Sequence, residues 1–336
     1  MPNSLSRSDI ASLLNAAAGR QIAVVGDAML DIYLLGEVER ISPEAPVPVV
    51  RIRERRLALG GAANVAQNVI ALGANPSLLA TIGRDEHGRI LRGMLDSIGA
   101  GEATLVEIAR PTTTKTRVLA RLQQVVRFDE EEDREIAAEE LELVLAAVEG
   151  VISNADALIL EDYNKGLLVP AVIHRAITLA RARNIPIVVD PKYRNFFAFK
   201  GTTVFKPNRR ELEAALGAAV DLEHPEALPA ALERLGVEHL LLTLSERGMV
   251  LVARNGSVLR IPTTAREVYD AVGAGDTVTA YLAAMLAAGA TPAHAAVIAN
   301  FAAGVEVGKL GAATVNAAEV LAAYDDFAKR APLNLA

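Results

Sequence analysis

Asp276 stands directly behind Gly273-Ala274-Gly275 in the stretch DAVGAGDTVTA, residues 270–280, where a run of helix formers begins. A glycine-rich turn that leads into a helix leaves several backbone N–H groups without intrahelical partners. The helix dipole makes the same place attractive to an anion. Gly273, Ala274 and Gly275 carry almost no side chain, so phosphate oxygens can approach the backbone. A carboxylate beside a bound phosphate repels it. Asp276 makes chemical sense there as a general base that takes the proton of an attacking hydroxyl. The same residues also fit an N-terminal Asp on a buried helix, with Gly for close packing.

Other groups bear on that choice. In FKPNRRE, residues 205–211, Asn208 and Glu211 are three apart and share a helix face. The amide suits phosphate oxygens and the carboxylate suits Mg²⁺ through water; the pair also fits a capping box. TLSERG, residues 243–248, follows a strand and turns sharply, with Ser245 and Gly248 at the bend. It fits a loop at the edge of a nucleotide or a plain hairpin turn. GGAAN, residues 60–64, is expected to open a helix after a polar loop. Gly60 and Gly61 allow close backbone approach to a neutral hydroxylated ligand, and Asn64 adds an amide. Asp27 and Asp31 follow the first strand, where ligand crevices lie in parallel sheets, and carboxylates accept hydrogen bonds from sugar hydroxyls. A solvated loop is the other place for Asp31.

The scaffold that must hold these groups is legible in outline. The chain has 336 residues, 51% hydrophobic but only 4% aromatic and without Trp, so Ala, Leu and Val must fill a large core. Net charge is -7, which argues against nucleic acid as a partner. With no Cys, disulfides, thiolate metal sites and Cys nucleophiles are excluded. The first 20 residues read as an amphipathic helix rather than a signal peptide. No apolar run reaches the ~18 residues of a membrane span, so a soluble cytoplasmic protein is expected.

Short β-rich runs at Ile22–Val25, Leu158–Leu160, Ile187–Val189 and Leu240–Leu244 alternate with helical stretches. The helices are expected at Ala62–Leu72, Glu86–Ile98, Glu139–Val148, Pro170–Arg183, Glu211–Leu216 and Ala227–Leu235, then almost throughout residues 275–309. That alternation predicts an α/β fold, a doubly wound and mainly parallel sheet flanked by helices. Two segments stand apart. Residues 33–52 contain Pro43, Pro46 and Pro48, which exclude a helix, and residues 112–128 are β-branched and alternate apolar with polar. Both are expected to be exposed strand pairs that meet as one small sheet.

In their order along the chain, GGAAN, NRRE and DAVGAGD resemble the ribokinase-like (PfkB) carbohydrate kinases, over essentially all of residues 1–336. The resemblance implies one kinase domain with a small β-sheet lid, formed by the two segments above and able to mediate a homodimer. It implies ATP and Mg²⁺, the latter held through water by Glu211. Asp276 matches the family's base, and the amides of residues 271–276 its anion hole. Asn208, Glu211, Ser245, Gly248 and Asn300 match the nucleotide side, and Asp31, Gly60, Gly61 and Asn64 the sugar contacts. Asp270 matches an acid that in some relatives helps bind a monovalent cation; Val272 stands where Thr is usual, which removes one hydroxyl.

VVGDAMLDIYLLGEVERISPEAPVPVV and EDYNKG resemble the branch that forms the kinase half of a bifunctional ADP-heptose biosynthesis protein. This implies phosphorylation of the anomeric C1 hydroxyl of D-glycero-β-D-manno-heptose 7-phosphate, for lipopolysaccharide core synthesis. A chain ending at Ala336 is expected to be the stand-alone kinase. A family kinase for another sugar is the other reading. A sugar phosphate needs cations at the far end of its pocket; Lys165, Lys192, Arg117, Arg121 and Arg127 are candidates, with Asp162 and Asn164 for hydroxyls. The lid arginines equally fit a solvated strand face. Arg51, Arg53, Arg55 and Arg56 are expected on solvated lid surface or at a subunit contact.

Overall fold

The structure, a computed structural model, describes residues 5–100, 103–121, 123–222, 228–266 and 268–330. Ala227, with which one expected helix opens, lies outside the described residues, as do Leu122 in the second lid segment and both chain ends.

Nine strands form one sheet in the order β13 (Val258–Ile261), β12 (Met249–Ala253), β11 (His239–Thr243), β10 (Val204–Phe205), β9 (Ile187–Asp190), β8 (Ala157–Glu161), β1 (Gln21–Gly26), β4 (Asn75–Gly83) and β5 (Thr104–Ile108). From β5 to β11 every pairing is parallel; β12 and β13 add antiparallel at one edge. The expected parallel core is present. β4, β5, β10, β12 and β13 were not expected. β4 opens on Asn-Pro, a turn signal, and β10 has two residues, too few for any periodicity.

Successive strand residues point to opposite faces, and both faces are covered. Ile22 and Val24 join one apolar cluster with α2 (Ala62–Ala71), α8 (Ala274–Ala287) and α9 (Pro292–Glu306). Ala23 and Val25 join the other, with α4 (Ala138–Ile152) and α5 (Pro170–Ala182). α8 is buried all round from Asp276 to Met285. Its Ala-rich surface lets sheet, α2 and α9 pack closely, and Tyr281 anchors it by donating to the Val315 carbonyl at 2.8 Å. The helix that carries Asp276 is therefore held inside the core.

The two excursions do meet. β3 (Pro48–Gly61), β2 (Ala28–Ile41), β6 (Thr114–Ala120) and β7 (Gln123–Glu130) form a separate four-stranded sheet in that order, with β2 and β6 parallel. It reaches further than the sequence suggested. β3 runs through Gly61 straight into α2, so GGAAN follows a strand and not a polar loop. The turn needs glycine: Gly61 has φ of 56°, and a Cβ there would lie 2.4 Å from the Asp27 carbonyl oxygen. The lid sheet is thus built directly onto the end of β1 and the start of α2.

Gly26 pairs with Glu161, and a Cβ there would meet the Glu161 carbonyl oxygen at 2.3 Å and its Cβ at 2.7 Å. Gly26→Ala is expected to cost ~1–3 kcal/mol in denaturant unfolding, because backbone must shift. Gly150→Ala, on an exposed helical position with open space, is expected to gain up to ~1 kcal/mol.

Candidate active site

β1 has its neighbours β8 and β4 on opposite sides, with chain connections leaving in both directions, so a crevice opens beyond the carboxyl ends of β1 and β8. The lid covers it. Between them lies a cavity of about 290 Å³. Asp276, Gly273, Val272 and Ala312 line one side, and Asp31, Lys115, Arg117 and Arg127 from the lid line the other. Tyr163, Gly61 and Met29 close the remainder.

Asp276 is 4% exposed and faces this cavity. One oxygen accepts from Asn64 Nδ2 at 2.7 Å and the other from the Tyr163 hydroxyl at 2.7 Å. Burial pushes its pKa up to about 6; the two donors work against that, and the negative charge of Asp190 adds to it. Asn64 is itself oriented, because Asn68 donates to its carbonyl and side-chain oxygens, and Thr277 donates to Asn68. The amide expected on the sugar is therefore spent on the acid. Nothing in a single sequence pairs residues 64 and 276.

Gly273 caps α8 with φ of 96°, and a Cβ there would crowd Asn64 Nδ2 at 3.1 Å and Ala312 at 3.2 Å. Asp270 shapes the same turn, with one oxygen accepting from Val272 N–H and the other from Gly311 N–H. Gly275 leaves open space above Asp190 and Lys206: its absent Cβ would be 3.6 Å from Asp190 Oδ2 and 3.7 Å from Lys206 Nζ. The start of α8 is thus a side-chain-free, N–H-rich concavity with a buried ammonium beneath it, suited to an anion.

Glu161, Asp190 and Asp276 bring carboxylate oxygens within 4.8 Å of one another, all buried. Lys206 donates to Asp190 at 2.8 Å. Glu161 is fully buried and no donor reaches either oxygen. Burial, with Asp190 and Asp276 nearby, holds its carboxyl well above the usual carboxylate range, so it keeps its proton. Asp190 and Lys206 were missed as site residues. The signal was present, since strands β8 and β9 end in acids and FKPN carries the lysine.

The remaining candidates divide. Asp31 and Arg117 form a buried ion pair in the cavity, with Arg117 over the Tyr33 ring, so Asp31 is not a solvated loop acid. Arg127 enters the cavity and pairs with Asp129 at 3.1 Å, beside Lys115, an unanticipated lining residue that pairs with Asp129 and Glu131. Arg121 sits exposed at the β6–β7 turn and does not reach the cavity. Lys165 pairs with Glu131 at 2.7 Å. Lys192 pairs with Glu211 and lies over the Tyr163 ring, and it does not line the cavity.

Asp27 is 2% exposed and accepts the backbone N–H groups of Tyr163, Lys165 and Leu167. It organises the loop after β8 and does not line the cavity. Asp162 accepts from Asn164 N–H, and burial next to Asp27 pushes its pKa up to about 7. Asn164, at φ of 54°, accepts from Arg194 N–H, so its side chain serves the same loop. Gly60 lies against Met29 and Asp31, which a Cβ would crowd.

On the far side of the α8 turn, Asn208 and Glu211 form the capping box of α6 (Arg209–Leu216), each side chain bonding the other's N–H. Ser245 to Arg247 make a tight 3₁₀ turn between β11 and β12, so TLSERG is a hairpin turn. Asn300 donates to the Pro262 carbonyl at 2.8 Å, pinning the segment after β13. Glu211 has one oxygen on Lys192 and the other on Asn208 N–H, which closes direct metal coordination; its remaining lone pairs fit a hydrated ion through water. Among the described residues, no helix is long and apolar enough to cross a membrane.

Residues 20–319 match the sequence profile of the pfkB family carbohydrate kinases. The chain is 47% identical over 304 residues to the bifunctional protein HldE of Gluconacetobacter diazotrophicus, covering 90% of this chain and 63% of that protein. Against the bifunctional protein HldE of Rhodospirillum rubrum, identity is 43% over 317 residues, covering 94% and 64%. The chain thus spans less than two thirds of the length of these curated relatives. Among solved structures, phosphofructokinase-2 from Escherichia coli in complex with potassium superposes with a TM-score of 0.76 at 16% identity, covering 92% of this chain and 99% of that one. Arabidopsis thaliana ribokinase complexed with ribose and ATP gives 0.70 at 19%, covering 91% and 98%. These likenesses show the ribokinase-like fold with its lid.

A folded state that keeps the Glu161 proton loses stability as pH rises from the ordinary glutamate value of 4.5, because the unfolded chain releases that proton first. Glu161→Gln keeps the shape and cannot ionise. Its unfolding free energy relative to the parent is expected to increase as pH rises above 4.5, read from denaturant midpoints at each pH. A constant difference would mean that Glu161 is ionised in the fold.

Proposed function

The chain belongs to the pfkB family of carbohydrate kinases, and from that premise we propose that it transfers the γ-phosphoryl group of ATP to the anomeric C1 hydroxyl of D-glycero-β-D-manno-heptose 7-phosphate. As a member of that family it is a phosphotransferase with an alcohol acceptor. One observation carries the reading of the site: Asp276 lines the lid-covered cavity in the first turn of α8, where free backbone N–H groups suit an anion. The heptose assignment draws on the EDYNKG resemblance and on identity of 43–47% to the bifunctional HldE proteins.

In this mechanism the acceptor alcohol lies in the cavity with its O–H directed at Asp276. The N–H groups of the α8 turn receive the γ-phosphate, where charge builds on the equatorial oxygens. Lys206 below Gly275 adds a fixed positive charge. Asp276 takes the proton as the bond to phosphorus forms. Glu211 would hold Mg²⁺ through water, and the ion would supply charge neutralisation on the ATP phosphates. Lid closure excludes the water that would otherwise hydrolyse ATP.

Lys115, Arg117 and Arg127 line the same cavity as Asp276, so cations and the proposed base share one enclosed space. That is the arrangement a phosphorylated acceptor requires. The opposite face of the lid carries the exposed Val126 and Phe128, paired with Val118 and Thr116. We assign that face to a second copy of the chain, acting in the cytoplasm where ATP is supplied.

Asp276→Asn is expected to bind ATP and sugar phosphate as before while turnover falls by ~10²–10⁴-fold, measured as ADP release. Unchanged turnover removes Asp276 from the base role. In the parent enzyme, kcat is expected to decline as pH falls through about 6, where the base gains its proton. A panel containing heptose 7-phosphate, fructose 6-phosphate and ribose decides the acceptor; faster turnover of ribose overturns the heptose assignment. Arg127→Ala is expected to raise KM for the phosphorylated sugar by about tenfold and leave KM for ATP unchanged.

A further inference from the structure

We propose that Tyr163 is a positioning residue for the reaction: its hydroxyl holds the catalytic carboxylate ionised and turned toward the acceptor alcohol. The inference rests on the reading of Asp276 as the base. Tyr163 stands in EDYNKG, where the sequence assigned roles to its neighbours and none to it, yet it lines the cavity and donates to Asp276 Oδ1 at 2.7 Å. Asn64 donates to the other oxygen at 2.7 Å. Two donors, one on each oxygen, fix the carboxylate plane from opposite sides. What remains free are the lone pairs that face the cavity, where the acceptor hydroxyl arrives.

The loop that carries Tyr163 is over-determined, as a positioning element must be. Asp27 is buried and accepts N–H groups from Tyr163 itself and from Lys165 at 2.9 Å each, and from Leu167 at 3.3 Å. Asn164 and Gly166 both lie at positive φ, 54° and 78°, and a Cβ at Gly166 would be 2.1 Å from the Arg134 carbonyl oxygen. Lys192 lies over the Tyr163 ring at 5.2 Å and pairs with Glu211 on the nucleotide side. The ring is therefore held between Asp276 and Lys192 at the edge of the cavity. Burial and the surrounding acids hold the phenol well above its usual range, so it stays a donor wherever the enzyme is folded.

The direction of the effect follows. A hydrogen bond to the charged form of an acid favours that form. Asp276 sits among groups that push the other way or are neutral to it. Burial and Asp190 on β9 favour the protonated acid, while Lys206 after β10 and Asn64 on α2 favour the carboxylate; Glu161 on β8 and Glu306 at the end of α9 face it with carboxyls that are themselves pushed upward. Across the cavity, the Asp31–Arg117 pair is internally neutralised. Tyr163→Phe leaves all of these in place and deletes one donor.

The test compares the parent with Tyr163→Phe. The first readout is the ¹³C titration of the Asp276 carboxyl without ligand, assigned by its loss in Asp276→Asn. Its midpoint is expected to rise by roughly one pH unit in the variant. The second is kcat against pH with ATP and heptose 7-phosphate, whose acid limb is expected to move up by the same amount, with most activity recovered by about pH 8. In the Asp276→Asn background, deletion of the hydroxyl is expected to change the residual kcat no further. An unchanged titration midpoint, or a kcat reduced by the same factor at every pH, overturns the proposal and leaves Tyr163 a packing residue. If the parent phosphorylates no sugar phosphate, the kinase reading fails, and the ligand-free titration still decides the role of the hydroxyl.

Discussion

A carboxylate withdrawn from water next to a site for phosphate is the constraint around which this molecule is organised. Burial and the neighbouring Asp190 drive Asp276 toward its neutral form, while the proposed base role requires the ionised one. The surroundings resolve that conflict with dipoles and one ammonium rather than with water. Asn64 and Tyr163 donate to the two oxygens, Lys206 sits with Asp190 below, and Glu161 keeps its own proton and so adds no charge. These groups come from α2, from β8 and the loop after it, from β9 and from the residue after β10, so the fold's first task is to bring the carboxyl ends of three strands and the starts of two helices to a single point.

The two faces of the lid show the same economy. Register places Tyr33, Arg117 and Arg127 side by side on one face and Leu34, Val118 and Val126 on the other. A sheet with alternating residues can serve polar recognition inside and apolar contact outside with no change of backbone. Arg51, Arg53 and Arg56 pair with Glu37, Glu39 and Glu54 on the exposed strands, so that cluster is balanced surface rather than a free basic patch.

Much of this was legible in the sequence. The short apolar runs ending in acids marked the central strands, and three prolines marked the first excursion as non-helical. DAVGAGD marked the helix start and the carboxylate that lines the cavity, because glycine content and a following carboxylate are local properties. What escaped was of two kinds. Elements too short or too irregular to show periodicity, such as β10 and the Asn-Pro opening of β4, left no pattern to find. Contacts between residues far apart in the chain were also hidden: Asn64 donates to Asp276, Asp27 accepts from Tyr163 N–H and Asn164 accepts from Arg194 N–H, pairings that no local pattern announces. Polar residues beside a binding turn are as often its framework as its contacts.

The passage of β3 through Gly60 and Gly61 directly into α2 has a mechanical consequence. Asn64 lies three residues beyond the last residue of the lid strand, with no flexible connector between. A displacement of the cover over the cavity is therefore transmitted along one continuous length of backbone to the amide that grips the proton acceptor. Capturing the sugar and setting the geometry of the acid are, in this architecture, two ends of one lever.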